Sequence, residues 1–104
     1  MGQSLIFNLL REKLRDSSAT IHYWRTKDGA RVDFVVNYGR EQIPMEVKCR
    51  RIKQFRESEL TKSFKRFIDK YQPQKALVVN LNLDLVVQRG KTQIKFFPFY
   101  KVSL

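Results

Sequence analysis

Three charged residues stand inside runs that otherwise read as strands, where acids are ordinarily depleted. Asp33 lies in Arg31-Val32-Asp33-Phe34-Val35-Val36, and Glu46 and Lys48 lie in Ile43-Pro44-Met45-Glu46-Val47-Lys48. Side chains alternate across a strand, so Glu46 and Lys48 share one face while Met45 and Val47 take the other. Hairpin pairing with the preceding strand brings Asp33 alongside. Two carboxylates and a backbone carbonyl, that of Val47, are the hard oxygen ligands Mg²⁺ or Mn²⁺ prefers, with positions left for water and a phosphate oxygen. Such a cation polarises a phosphoryl group and lowers the pKa of bound water. Lys48 would orient or deprotonate that water, or offset charge building on phosphorus. The reaction expected of such a site is phosphodiester hydrolysis. The bland alternative is a cross-strand ion-pair ladder, which contributes little to stability.

Hydrophobic periodicity supplies the elements that must position these groups. Leu5, Ile6, Leu9, Leu10 and Leu14 have helical spacing over Ser4 to Arg15. Ile21 to Lys27, Arg31 to Tyr38 and Gln42 to Cys49 read as three consecutive antiparallel strands, punctuated by Asp28-Gly29 and Gly39. A second helix is expected from Ser58, as its cap, to Tyr71, with Leu60, Phe64, Phe67, Ile68 and Tyr71 in one stripe. Ala76 to Val79 is a continuous apolar run, which suits a strand buried on both faces and parallel to its neighbour across the helical crossover. Two short strands, Asp84 to Arg89 and Gln93 to Phe97, flank Gly90-Lys91; Phe96, Phe97, Phe99 and Tyr100 are expected to cover an edge of the core. The fold class is a single α/β domain: a mixed, mainly antiparallel sheet flanked by two helices, in the order α-β-β-β-α-β followed by a hairpin.

The chain has 104 residues with 21 Lys plus Arg against 10 Asp plus Glu, a formal charge of +11 that self-repels unless a polyanion neutralises it. Nucleic acid is the first partner this implies. Arg50, Arg51, Lys53 and Arg56 run out of the third strand, and Lys62, Lys65, Arg66 and Lys70 lie on the second helix, mostly off its apolar stripe. Both sets are expected to face one phosphate backbone, giving salt-sensitive affinity with little sequence information; a solvated charged face is the alternative. One Cys excludes a disulfide framework and implies a reducing, cytoplasmic setting. Nothing approaches the roughly 18 apolar residues a spanning helix needs, so no membrane is expected. Gly90-Lys91-Thr92 imitates the end of a phosphate-binding loop, but Leu85 stands at the first glycine position, so a hairpin turn is expected. His22 is expected on a strand near the surface, Cys49 has no base to activate it, and Tyr23 and Trp24 are expected to be core aromatics, with stacking on bases as the alternative.

The run Tyr23-Trp24-Arg25-Thr26-Lys27-Asp28-Gly29-Ala30-Arg31-Val32-Asp33-Phe34-Val35-Val36, followed by Ile43 to Lys48, closely resembles the DUF4143 domain found at the C-terminus of prokaryotic AAA-type ATPases. That family is itself similar to the PD-(D/E)XK nuclease superfamily. The likeness extends through Leu60 to Tyr71, Lys75 to Val79 and Phe97 to Tyr100. It implies a restriction-endonuclease-like core, Asp33 and Glu46 as metal-binding acids and Lys48 as the catalytic lysine. It also implies a Mg²⁺-dependent DNA phosphodiesterase, with an ATPase module in the same full-length chain. In the family the first helix often brings a Glu toward the metal; aligned on Asn8, Phe7 stands there, and Glu12 lies about 140° further round the helix. That departure admits a second expectation: a catalytically inactive nuclease-fold module that binds nucleic acid or a partner and regulates the ATPase.

Overall fold

A computed structural model describes residues 3–101. Helix α1 (Gln3–Leu14) leads into strands β1 (Thr20–Arg25), β2 (Arg31–Tyr38) and β3 (Glu41–Val47); helix α2 (Lys62–Tyr71) then crosses to β4 (Lys75–Asn80), and β5 (Leu85–Arg89) and β6 (Thr92–Pro98) close the sheet. This is the element order expected from periodicity. Hairpins join the antiparallel pairs at turns where Gly29, Gly39 and Gly90 adopt φ of 93°, 62° and 56°, values that L side chains rarely adopt. Gly90-Lys91 is therefore a hairpin turn.

The sheet has six strands in the order β1-β2-β3-β4-β6-β5. β1–β2, β2–β3 and β5–β6 are antiparallel, whereas β3–β4 and β4–β6 are parallel. The α2 crossover is what allows β4 to run parallel to β3. β6 is an interior strand, so Phe96 and Phe97 do not cover an edge. Being consecutive, they point to opposite faces and enter separate cores. Tyr100 is exposed.

α2 starts later than its apolar stripe suggests. Glu57–Glu59 wind a separate 3₁₀ turn, Leu60 is extended and buried, and Thr61 rather than Ser58 caps the helix, its hydroxyl accepting from the Phe64 amide at 3.1 Å. The helix ends at Gln72, left-handed at φ 47°, ahead of Pro73. Phe64, Phe67 and Ile68 pack on Val32, Val35, Ala76, Val78, Ile94 and Phe96 to form one core. Trp24 meets Phe67 edge-on at 5.3 Å, but Tyr23 is 57% exposed and is not core. On the opposite face α1 contributes Ile6 and Leu10 to a smaller core with Phe34, Met45, Val79 and Phe97. Among the described residues no helix is long and apolar enough to cross a membrane.

Candidate metal centre where two strands part

β2 carries a bulge at the residue that matters. His22 pairs with Val35 and Trp24 with Val32, so β2 spends one more residue than β1 around Asp33-Phe34. The bulge shifts the alternation, sending Val32 and Val35 to the α2 side and Phe34 to the α1 side, and it re-aims Asp33. The β2–β3 ladder stops at Phe34–Met45, while β3 runs on beside β4 through Val47–Val79. Asp33 fills the fork. Its Oδ2 accepts from the Val47 amide at 2.9 Å and its Oδ1 from Gln3 Nε2 at 2.6 Å. A residue's N–H and C=O project to the same edge of a strand, so the Val47 carbonyl also lies on the Asp33 side.

Glu46 faces the other way, toward the start of α2. It is 8% exposed, and its Oε2 has no hydrogen-bond partner among the described residues. Burial pushes its carboxyl above the ordinary carboxylate range. The Thr61 hydroxyl and the Lys48 charge draw it down, and the Asp33 charge adds to the rise. Lys48 is half-buried, and its amide donates to the Val79 carbonyl at 2.8 Å, extending the β3–β4 ladder past the strand. The structure thus sets Asp33 against Val47, and places Lys48 and Asp33 near enough to Glu46 for their charges to act on its carboxyl.

These residues suit a hard cation. A buried carboxylate oxygen without a partner is costly, and a divalent ion would satisfy it. Each Asp33 oxygen keeps a lone pair beyond the one it shares. Among the described residues no group of three or more His, Cys, Asp or Glu comes together, so the site has two carboxylates, not three. Phe7 does not occupy the third place: it stacks on Tyr23 at 6.4 Å and packs on Phe34 at 5.6 Å. The α1 residue that reaches the site is Gln3, one turn earlier on the same face. Glu12 pairs with Arg15 in the open. Gln3 and Thr61 are the site residues that sequence reasoning missed. Thr61 had a signal, a capping residue just before a helical run; Gln3 had none.

The family model described as "Domain of unknown function (DUF4143)" matches residues 2–101. The chain belongs to the DUF4143 family. Among curated proteins none matches this DUF4143 chain. Among solved structures it is similar to a chain in the refined half-complex from the tetradecameric assembly of Thermococcus gammatolerans McrB AAA+ hexamers with bound McrC. The TM-score is 0.73 and the identity 13%, over 92% of this chain and 26% of that one. The likeness is one of fold, and the DUF4143 chain spans about a quarter of that chain's length.

Around the DUF4143 site the basic residues divide into two groups. Arg50, Arg51, Lys53 and Arg56 line an open cleft of about 620 Å³, and Arg50 is ion-paired with Glu59 inside it. The loop that carries them is anchored: Ile52 is buried, its amide donates to Asn82 Oδ1 at 2.7 Å, and its carbonyl accepts from Asn82 Nδ2 at 2.9 Å. No α2 cation lines that cleft. On α2, Lys62, Arg66 and Lys70 are exposed and Lys65 is half-buried. Arg66 reaches Asp28 in the β1–β2 turn at 2.8 Å, and the Thr26 hydroxyl and Arg66 together hold the Asp28 carboxyl down to about 2. His22 and Cys49 are exposed, and Cys49 is a free thiol.

Proposed function

We propose that this DUF4143 domain is a divalent-metal-dependent phosphodiesterase acting on DNA, built on a PD-(D/E)XK-type core and working beside an AAA+ ATPase module. The observation that carries the reading is the buried, unpartnered Glu46 Oε2 set beside Lys48 and Asp33. Asp33, Glu46 and the Val47 carbonyl would hold Mg²⁺ or Mn²⁺, which when bound polarises the phosphoryl group and acidifies a water. The chain's own residues do the rest. Gln3 and the Val47 amide fix the Asp33 carboxylate, Thr61 steadies Glu46 at the head of α2, and Lys48 places a positive charge against the reacting phosphate. Arg51, Lys53 and Arg56 hold the flanking backbone without reading sequence. The ATPase association draws support from the fold likeness to a far longer chain in a structure of AAA+ hexamers.

A plasmid-nicking assay with Mg²⁺ and Mn²⁺ tests it. Wild type nicks; Asp33→Ala, Glu46→Ala and Lys48→Ala do not, although the two carboxylate variants bind duplex DNA largely as before. Wild-type nicking rates in both carboxylate variants would overturn the assignment. A second reading, a non-catalytic module that regulates an attached ATPase through DNA or a partner, is favoured by one specific observation: an amide, Gln3, stands against Asp33 where a third acid would complete the site. Duplex binding without nicking in either metal would select that reading.

A further inference from the structure

The α1 face of the sheet is only half covered. α1 shields Phe34, Met45, Val79 and Phe97, with Leu77 half-buried at the margin of that core, whereas Lys95 and Val86, set beside Leu77 on β6 and β5 by their registers, face outward. Val86 is 53% exposed, far above what a strand residue on a packed face shows. Two adjoining hollows, of about 320 and 480 Å³, lie along this surface and share Ile43, Leu77 and Lys95. The first runs beneath the end of α1, against Leu10 and Leu14.

The floor is apolar and the rim is mainly basic. Lys13, Lys95 and Lys101 line one hollow and Lys75 and Lys95 the other. Lys101 is neutralised by its ion pair with Asp84, so the positive charge offered to an occupant is concentrated on Lys75 and Lys95. That pattern selects among occupants. A second copy would set lysine against lysine in a chain of formal charge +11, which like-charge repulsion opposes. A nucleic-acid backbone has no apolar surface to fill the Ile43–Leu77–Val86 floor. An α-helix with one apolar face and acidic flanks satisfies both the floor and the rim, and three strand spacings of roughly 4.8 Å match about ten helical residues.

We propose that this open half-face is a docking groove for an acidic amphipathic helix from another polypeptide segment, seated on Ile43, Leu77 and Val86 and clamped by Lys75 and Lys95. The groove is separate from the metal centre, so the proposal stands or falls independently of DNA cleavage.

The test uses a fluorescent peptide of roughly 16 residues, with Leu at i, i+3, i+4 and i+7 and Glu on the remaining face, against the same peptide with Lys for Glu. The acidic peptide should bind the whole chain, perturb the amide resonances of Leu77, Val86 and Lys95, and weaken about tenfold when Lys75→Glu and Lys95→Glu are combined. Both substitutions are at exposed positions, so the variant folds, as its unchanged α2-side resonances will verify. Equal binding of the two peptides, unchanged affinity in the double variant, or perturbation elsewhere overturns the proposal. So does dimerisation abolished by the double variant, or displacement of the peptide by duplex DNA that perturbs the same amides.

Discussion

On the α2 side of the sheet, Phe64, Phe67 and Phe96 close a continuous core, and Glu46 is packed at its margin beneath the Thr61 cap with one oxygen unpartnered. On the α1 side the core is smaller and open at one end, and Asp33 has both oxygens hydrogen-bonded, one by Gln3 and one by the Val47 amide. The two carboxylates of one site are therefore held by opposite means. The tightly packed face keeps its acid under-satisfied, while the loosely packed face supplies a pre-oriented acid from a helix terminus and a strand fork. In the proposed metal site, this arrangement would leave one carboxylate oxygen for a cation to satisfy without exposing either acid fully to water.

Core truncations should separate the two faces most widely. Phe64→Ala, at a fully buried position, should cost about 3–5 kcal/mol, and Leu10→Ala, at the rim of the open groove, about 2 kcal/mol, read from urea midpoints. Equal losses would mean that the faces are equally packed. Gln3→Glu supplies a third carboxylate from α1 and should tighten Mn²⁺ binding about tenfold in a calorimetric titration, since ligand charge count sets affinity; unchanged affinity would place Gln3 outside the cation's reach. Thr61→Ala removes a cap and should cost about 1 kcal/mol, and it should also raise the Glu46 carboxyl further, followed by carboxyl NMR.

The smallest effect is a pH dependence. The folded Glu46 carboxyl sits above its ordinary 4.5, so it favours folding fully below that pH and loses the contribution as pH rises through the folded value, because the unfolded chain ionises first. Without divalent metal, wild type should therefore lose stability relative to Glu46→Gln as pH climbs from 4.5. A constant difference between the two at pH 4 and pH 7 would contradict the burial of that charge.

Much of this was legible in the sequence. Asp33, Glu46 and Lys48 stood out because charged residues in apolar strand runs need a reason, and the period of each run set the element order. What escaped was non-local or finely geometric. Ser58 followed by Glu59 imitates a helix start, but the chain winds a 3₁₀ turn there and begins α2 only after Thr61. The insertion of β6 between β4 and β5 is a pairing choice made across the sheet, and hairpin spacing alone places its aromatics at an edge. Gln3 reaches Asp33 across thirty residues, so only the packing angle of α1 distinguishes it from Phe7. The bulge at Asp33-Phe34 leaves no trace in composition, although it is what turns Asp33 into the fork.

The most direct measurement of the central claim, that the two faces converge on one cation, is a calorimetric titration of Mn²⁺ into wild type, Asp33→Ala and Glu46→Gln. One site in the wild type, lost in Asp33→Ala and in Glu46→Gln alike, is the predicted result. Binding that survives either substitution, or no binding to the wild type, would contradict it.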